Sequence, residues 1–315
     1  MEIEKIGVPF GMPVAVLGGG SLGLLLAGRL KESGCDCILW TRTRDQASLL
    51  NREGLTMENQ AGNVTHRIRI EASSLEEASL FVNGIVLLTV KQTALTASFI
   101  AGLATVIPVG GTLVLFQNGI GHHELLKEAL PGRKLIMAIT TEGALRLNPA
   151  AVRHTGAGDI QIGDDDETKK NELLSLERML KQAGFSVYMS KKLEQAIIRK
   201  LLINSVINPL TAILRIRNGE LTKSTDRMDL MKSIFLESFG ILNELGIGDE
   251  AELWNTVIQV CASTGHNQSS MLQDVLAGKE TEIDYINGAI CRIAAKQGKP
   301  APLNSTVTAL VKAIY

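Results

Sequence analysis

The segment Val14-Ala15-Val16-Leu17-Gly18-Gly19-Gly20-Ser21-Leu22-Gly23 decides how this chain folds. Four apolar residues of strand type run straight into G-x-G-x-x-G, and an apolar helical stretch follows through about Ser33. Between a strand and a helix each glycine has its own task. Gly18 allows the tight turn, Gly20 lets a pyrophosphate approach the backbone, and Gly23 permits close helix–strand packing. The first N–H groups of the helix are unpaired and sit at the positive end of its dipole, so Gly18 to Gly23, with Ser21 and Leu22, form a turn suited to phosphates. The context points to a dinucleotide site, with a purely structural glycine-rich turn as the alternative.

Working outward, residues 35–40 (CDCILW) read as the second strand, followed by Thr41-Arg42-Thr43-Arg44. An NAD site would place a carboxylate here to hold the ribose 2′-hydroxyl. That carboxylate would repel a 2′-phosphate, whereas a guanidinium binds one through paired hydrogen bonds. The reading is NADP(H), with Arg42, nearest the strand end, as the better ligand; solvated surface arginines are the alternative. Residues 84–90 (GIVLLTV) and 112–116 (TLVLF) are apolar throughout, as expected of strands buried on both faces. They end in Lys91-Gln92 and in Gln117-Asn118-Gly119-Ile120-Gly121. Ligands of open α/β sheets bind at the carboxyl ends of strands, which lets Lys91 reach the cofactor and Asn118 orient a nicotinamide or a substrate carbonyl. The plainer role for Asn118 is a turn residue before Gly119.

Further strands are expected at 135–141, 159–163 and 185–189, and a helix at 173–182. Thr141-Glu142-Gly143-Ala144 falls between strands. His154, in a glycine-flanked connection, reads as structural because no carboxylate or nucleophile accompanies it at a recognisable spacing. Asp164-Asp165-Asp166-Glu167 reads as a solvated loop and helix start rather than a metal site.

The 315 residues suffice for two domains. With 32 basic and 33 acidic side chains the charge is only -1, and aromatics are 4%, which argues against nucleic acid or an anionic membrane as the main partner. Cys35, Cys37, Cys261 and Cys291 form neither a zinc spacing nor a disulfide framework, as in a cytoplasmic protein. Residues 6–28 carry no charge, yet their seven glycines and two prolines argue against a signal peptide or a membrane span.

Past about Lys191 the strand–helix alternation stops. Helical periods follow near 193–214, 228–245, 250–261, 283–297 and 305–314. The expected class is α/β, a Rossmann-type dinucleotide-binding domain over 1–190 followed by an all-helical domain over 191–315, with a cleft suited to a small molecule. In residues 200–213 (KLLINSVINPLTAI), Lys200, Asn204 and Asn208 recur every four residues and share one helical face among leucines, isoleucines and valine. Buried amides and ammonium groups need partners, so the stripe is either one wall of a polar pocket or a solvent-facing surface. Pro209 cannot donate to the Ser205 carbonyl and is expected to kink the helix just past Asn208. Other compact polar groups are Asn218-Gly219-Glu220, residues 269–274 (SSMLQD) and residues 281–288 (TEIDYING). Glu282 heads a predicted helix, where its carboxylate would suit the dipole with no further role.

With these segments in view, the chain resembles the ketopantoate reductase (2-dehydropantoate 2-reductase) family over nearly its whole length. The glycine turn with Arg42, KLLINSVINPLTAI, and SSMLQD followed by EIDYING carry the resemblance. It implies an NADPH-dependent oxidoreductase of pantothenate and coenzyme A biosynthesis acting on a small 2-oxo acid. Lys200 looks like the family's proton donor, and Asn118, Asn204, Asn208, Asn218 and Ser270 like its substrate contacts. Lys91 and Ala144 match cofactor-contacting positions, and Glu282 matches the acidic residue near nicotinamide and substrate. Two alternatives stay open: reduction of another branched 2-oxo acid, and a non-catalytic NADP(H)-sensing protein. Assembly state is also open, with a homodimer among the alternatives.

Overall fold

A computed structural model describes residues 12–163 and 169–314. The reading of Asp164-Asp165-Asp166-Glu167 therefore lies outside the described residues. The chain divides into two compact units, one of residues 1–90, 94–117 and 122–193, the other of 91–93, 118–121 and 194–315.

The first unit opens with β1 (Val14–Leu17), α1 (Ser21–Glu32), β2 (Cys37–Thr41) and α2 (Arg44–Glu53). Three short strands follow, β3 (Leu55–Glu58), β4 (Val64–Ile68) and β5 (Glu71–Ser74), then β6 (Ile85–Leu88), α3 (Ala97–Val106), β7 (Thr112–Leu115) and α4 (His122–Ala129). The unit closes with β8 (Lys134–Thr140), β9 (Gly143–Asn148), β10 (Ala151–Gly156), β11 (Asp159–Gly163), α5 (Lys170–Gln182) and β12 (Ser186–Met189). Among the described residues, eight strands form one sheet in the order β12-β11-β8-β7-β6-β1-β2-β5. Its pairs are parallel except β8 with β11, which are antiparallel. β1, β6 and β7 are buried on both faces, which is why their sequences are uniformly apolar. Separate hydrophobic clusters form around Leu24, Leu39 and Ile136 and around Leu17, Leu88 and Leu113.

A second sheet, in the order β4-β3-β10-β9, was not expected from the sequence. It corrects the reading of residues 141–154: β9 and β10 pair as an antiparallel hairpin, and His154 is a strand residue, not part of a connection. Its Nε2 lies 2.6 Å from Glu142 Oε2, and its Nδ1 lies 3.2 Å from Arg29 Nη2. The carboxylate that spacing did not reveal is supplied across the hairpin.

The second unit is helical: α6 (Leu193–Leu214), α7 (Thr225–Leu242), α8 (Glu250–Ser263), α9 (Ser270–Leu276), α10 (Asn287–Lys296) and α11 (Pro302–Lys312). Its core centres on Leu202, Val206, Phe235, Val257 and Ile290. Burying each such side chain contributes roughly 1.5–3 kcal/mol. By length and composition α6 could cross a membrane, yet 56% of its most apolar window is buried inside the protein, as in a core helix. The helix expected over 283–297 is divided: a 3-10 turn, Ile283–Tyr285, precedes α10, and Ile286 between them has non-helical φ −109° and ψ −89°.

Candidate functional site

In the first unit the site is built from glycine and backbone. Gly18 has φ +131°, and a Cβ there would meet Thr89 Oγ1 at 2.6 Å, so both conformation and space require glycine. A Cβ on Gly23 would lie 1.8 Å from the Gly18 carbonyl oxygen, which makes this glycine a packing requirement. A Cβ on Gly20, at the head of α1, would meet nothing within 4 Å. That side of the turn is open, as a pyrophosphate needs, and the first turn of α1 holds no carboxylate to oppose one. Glycine thus serves packing at Gly23 and access at Gly20.

The Gly19 carbonyl accepts Gln46 Nε2 and Arg146 Nη1, each at 2.9 Å, and Ser21 Oγ accepts the Arg146 backbone N–H at 3.0 Å. Leu22 packs half-buried against the core, as does Ala144 on β9. Arg42 follows the last residue of β2 and is exposed. Arg44 is engaged elsewhere, 3.1 Å from Glu77 and 4.0 Å from Glu76, which leaves Arg42 as the better anion ligand of the two. Sequence reasoning missed Gln46 and Arg146. Nothing local signals Arg146, because the unforeseen small sheet is what brings it to the turn.

In the second unit the site is built from side chains whose charges are buried. Lys200 and Asn204 are half-buried on α6, and Asn208 is 6% exposed, so the stripe sinks inward along the helix. α6 continues through Pro209 without interruption. The Ser205 carbonyl, deprived of its helical donor by Pro209, accepts Asn287 Nδ2 at 2.9 Å. Asn287 is fully buried and also donates to Asn304 Oδ1 at 2.9 Å.

Glu282 is 7% exposed and occupies the N-cap position of the 3-10 turn, where its side chain makes no capping hydrogen bond. Its Oε1 accepts the Gln92 backbone N–H at 3.0 Å, and its Oε2 lies 3.5 Å from Asn118 Nδ2. Gln92 Nε2 in turn donates to the Asn118 carbonyl at 2.5 Å. Gly119, with φ +80°, passes so close to Tyr285 that a Cβ would lie 2.3 Å from its carbonyl oxygen. The turn role of the Asn118-Gly119 pair and the side-chain role of Asn118 therefore coexist. Lys91 Nζ is ion-paired with Asp274 Oδ1.

Burial pushes the Asp274 and Glu282 carboxyls above their usual range; Lys91 opposes both shifts, as do the Gln92 N–H and the Asn118 amide for Glu282. Burial pushes Lys200 down from 10.5 to about 8, against the opposing charge of Glu282. The two buried carboxylates are thus each balanced by an ammonium group, Asp274 by the partly exposed Lys91 and Glu282 by Lys200, a balance that buried charges require. Gln92 and Asp274 were not assigned from the sequence, although Gln92 directly follows Lys91 and Asp274 ends SSMLQD.

The remaining expected residues stand outside this hydrogen-bonded cluster. Asn218 is buried; its Nδ2 donates to Thr264 Oγ1 at 2.8 Å, while its Oδ1 is buried with no hydrogen-bond partner among the described residues. Ser270 is exposed at the first position of α9, whose cap is Ser269; Ser269 Oγ also lies 2.7 Å from Thr211 Oγ1 of α6.

Comparison with known proteins agrees with both halves of this arrangement. The family model described as Ketopantoate reductase PanE/ApbA matches residues 14–167, and its C-terminal counterpart matches residues 192–315. A 2-dehydropantoate 2-reductase of Bacillus subtilis (strain 168) is 33% identical over 291 residues, covering 92% of this chain and 93% of that protein. The crystal structure of a probable 2-dehydropantoate 2-reductase from Bacillus subtilis is 31% identical, with a TM-score of 0.79 over 96% of this chain and 100% of that one. D-mandelate dehydrogenase, solved with NADH and anilino(oxo)acetate, has a TM-score of 0.87 over 96% of this chain and 98% of that one; at 24% identity it shares the fold.

Proposed function

Because the chain belongs to the ketopantoate reductase family, we propose that it reduces 2-dehydropantoate to pantoate with NADPH, in the supply of pantothenate and coenzyme A. The observation that carries this reading is Lys200, a half-buried ammonium brought to a pKa of about 8 beside the buried carboxylate of Glu282. A bound nicotinamide supplies the hydride that reaches the ketone carbon. Lys200 supplies the other half of the reduction: one N–H holds the ketone oxygen while negative charge develops there, and its proton then moves to that oxygen. At about 8 the group stays mostly protonated at neutral pH yet releases its proton more readily than an ordinary lysine.

Glu282 keeps Lys200 charged, and Gln92 and Asn118 hold Glu282 in place. Asn204 and Asn208 supply neutral amides to the substrate hydroxyl or carboxylate. Lys200 and Asn208 lie roughly 12 Å apart along the helix axis, so the lysine side chain reaches inward to serve a small keto acid. Asn118 and Ser270 add further donors, and the orphaned Asn218 Oδ1 suits a substrate hydroxyl. On the cofactor side, the open turn at Gly20 fits a pyrophosphate, Lys91 and Ala144 take the cofactor contacts that the family resemblance gives them, and Arg42 favours a 2′-phosphate. The test is NADPH and NADH oxidation against 2-dehydropantoate and a panel of branched 2-oxo acids. The reading requires the highest kcat/KM for 2-dehydropantoate with NADPH. A better substrate within the panel replaces the substrate name, and no turnover with any of them overturns the enzyme reading.

A further inference from the structure

Arg146 is the cation at the glycine turn for which the reaction has no assigned use. It lies on β9, more than a hundred residues from the turn, yet both ends of it are fixed there. Its backbone N–H donates to Ser21 Oγ at 3.0 Å, its Nη1 donates to the Gly19 carbonyl at 2.9 Å, and its Nε donates to the Asn148 carbonyl at 3.3 Å. These bonds hold the planar head in one orientation and leave Nη2 without a protein acceptor among the described residues. The head borders a surface groove of about 380 Å³ that is also lined by Thr43, Asp45, Gln46, Arg52 and Pro149. Thr43 immediately follows Arg42.

Three other arginines of this unit meet carboxylates: Arg44 meets Glu77, Arg52 meets Glu53, and Arg153 meets Glu58. Arg42 and Arg146 form no ion pair among the described residues, and the groove's carboxylate, Asp45, pairs with neither. Instead they feel each other, since burial and the positive charge of Arg42 together disfavour the charged form of Arg146. Two guanidiniums held within electrostatic reach, one of them oriented by the backbone of a phosphate-binding turn, relieve their repulsion by sharing a dianion.

We propose that Arg146 is a second specificity-determining arginine for the cofactor's 2′-phosphate, acting with Arg42 across the rim of the glycine turn. The proposal rests on the NADPH reading above. It assigns the two arginines different parts: Arg42 is exposed and gives up side-chain freedom on binding, whereas Arg146 is pre-oriented and loses little.

The experiment is direct titration of the full chain with NADPH, NADH, 2′,5′-ADP and 5′-ADP, comparing wild type with Arg146→Gln and Arg146→Lys. Arg146→Gln is expected to weaken NADPH and 2′,5′-ADP by roughly 10- to 100-fold, the loss of a charge-assisted phosphate contact. NADH and 5′-ADP are expected to stay within about twofold. Arg146→Lys keeps a donor for the Gly19 carbonyl but not the planar fork, and is expected to lower the NADPH preference by an intermediate factor. If Arg146→Gln does not fold, the lysine variant carries the test, and an NADPH:NADH ratio equal to wild type overturns the proposal. Equal weakening of NADPH and NADH also overturns it, because Arg146 then only supports the turn. A wild type that binds NADPH and NADH alike refutes the NADPH reading itself. A wild-type preference for NADPH that Arg146→Gln leaves intact refutes this inference alone.

Discussion

The glycine turn of the first unit and the charged cluster of the second are built in opposite ways, and under the proposed function they would recognise ligands in opposite ways. The turn works by leaving things out: no Cβ at Gly20, where one would meet nothing within 4 Å, and no carboxylate in the first helical turn. The helical unit works by forcing things in, holding Glu282, Asp274 and Lys200 where water solvates them poorly. Backbone recognition is insensitive to pH and sensitive to a single methyl group. Side-chain recognition tolerates small steric changes and depends on a single proton. Each substitution below should disturb one kind of recognition and spare the other.

The largest effect is expected from Lys200→Ala. Removal of the acid should lower kcat by roughly 10²- to 10⁴-fold, while titration shows NADPH binding nearly unchanged. Unchanged turnover would rule Lys200 out as the acid. Arg42→Ala should do the reverse, raising KM for NADPH by roughly 10- to 100-fold with a much smaller effect on NADH and little on kcat. Equal effects on both cofactors would remove its 2′-phosphate role.

Smaller effects separate the glycines. Gly20→Ala places its methyl group in open space and should leave the melting temperature nearly unchanged while weakening both cofactors. Gly23→Ala drives a methyl group into the Gly18 carbonyl and should cost about 1–3 kcal/mol in denaturant unfolding. If the two variants lost equal stability, the division between access and packing would fall.

An effect of the same size as that at Gly23, but on stability alone, concerns Asn287 and Pro209. Asn287→Ala leaves the Ser205 carbonyl unpaired, at a cost of about 1–3 kcal/mol. Pro209→Ala restores a backbone donor to that carbonyl and should recover part of the loss in the double variant. Strictly additive changes would mean that the two residues do not share the Ser205 carbonyl.

The two regions also differed in how far they could be read from sequence. Val14 to Gly23 was legible because strand, turn and helix are contiguous and each glycine answers a local steric demand. The apolar runs ending at Lys91 and Asn118 were legible for the same reason, since full burial leaves no polar positions. The small sheet was not: β4 is mostly exposed and β9 mostly half-buried, and neither shows the alternation that marks a strand. Missing it misplaced His154, hid its Glu142 partner, and concealed Arg146. In the helical unit the four-residue spacing of Lys200, Asn204 and Asn208 was plain, yet spacing could not separate a pocket wall from a solvated stripe. Burial of Asn208 and the charge of Glu282 beside Lys200 bear on that choice, and both depend on contacts across long stretches of chain. Pro209 shows the same limit. Its lost hydrogen bond was foreseeable, but the replacement donor, Asn287, sits 82 residues from Ser205.

The central claim, that a half-buried lysine of lowered pKa delivers the proton, is tested most directly by the pH dependence of kcat/KM for 2-dehydropantoate with saturating NADPH. The active form of an acid is protonated, so the rate should be level below a pKa of about 8 and fall about tenfold per pH unit above it. Because Glu282 raises the Lys200 pKa, Glu282→Gln should move that alkaline limb to lower pH. A wild-type profile that stays flat well above pH 8, or a limb that Glu282→Gln leaves in place, would contradict the account.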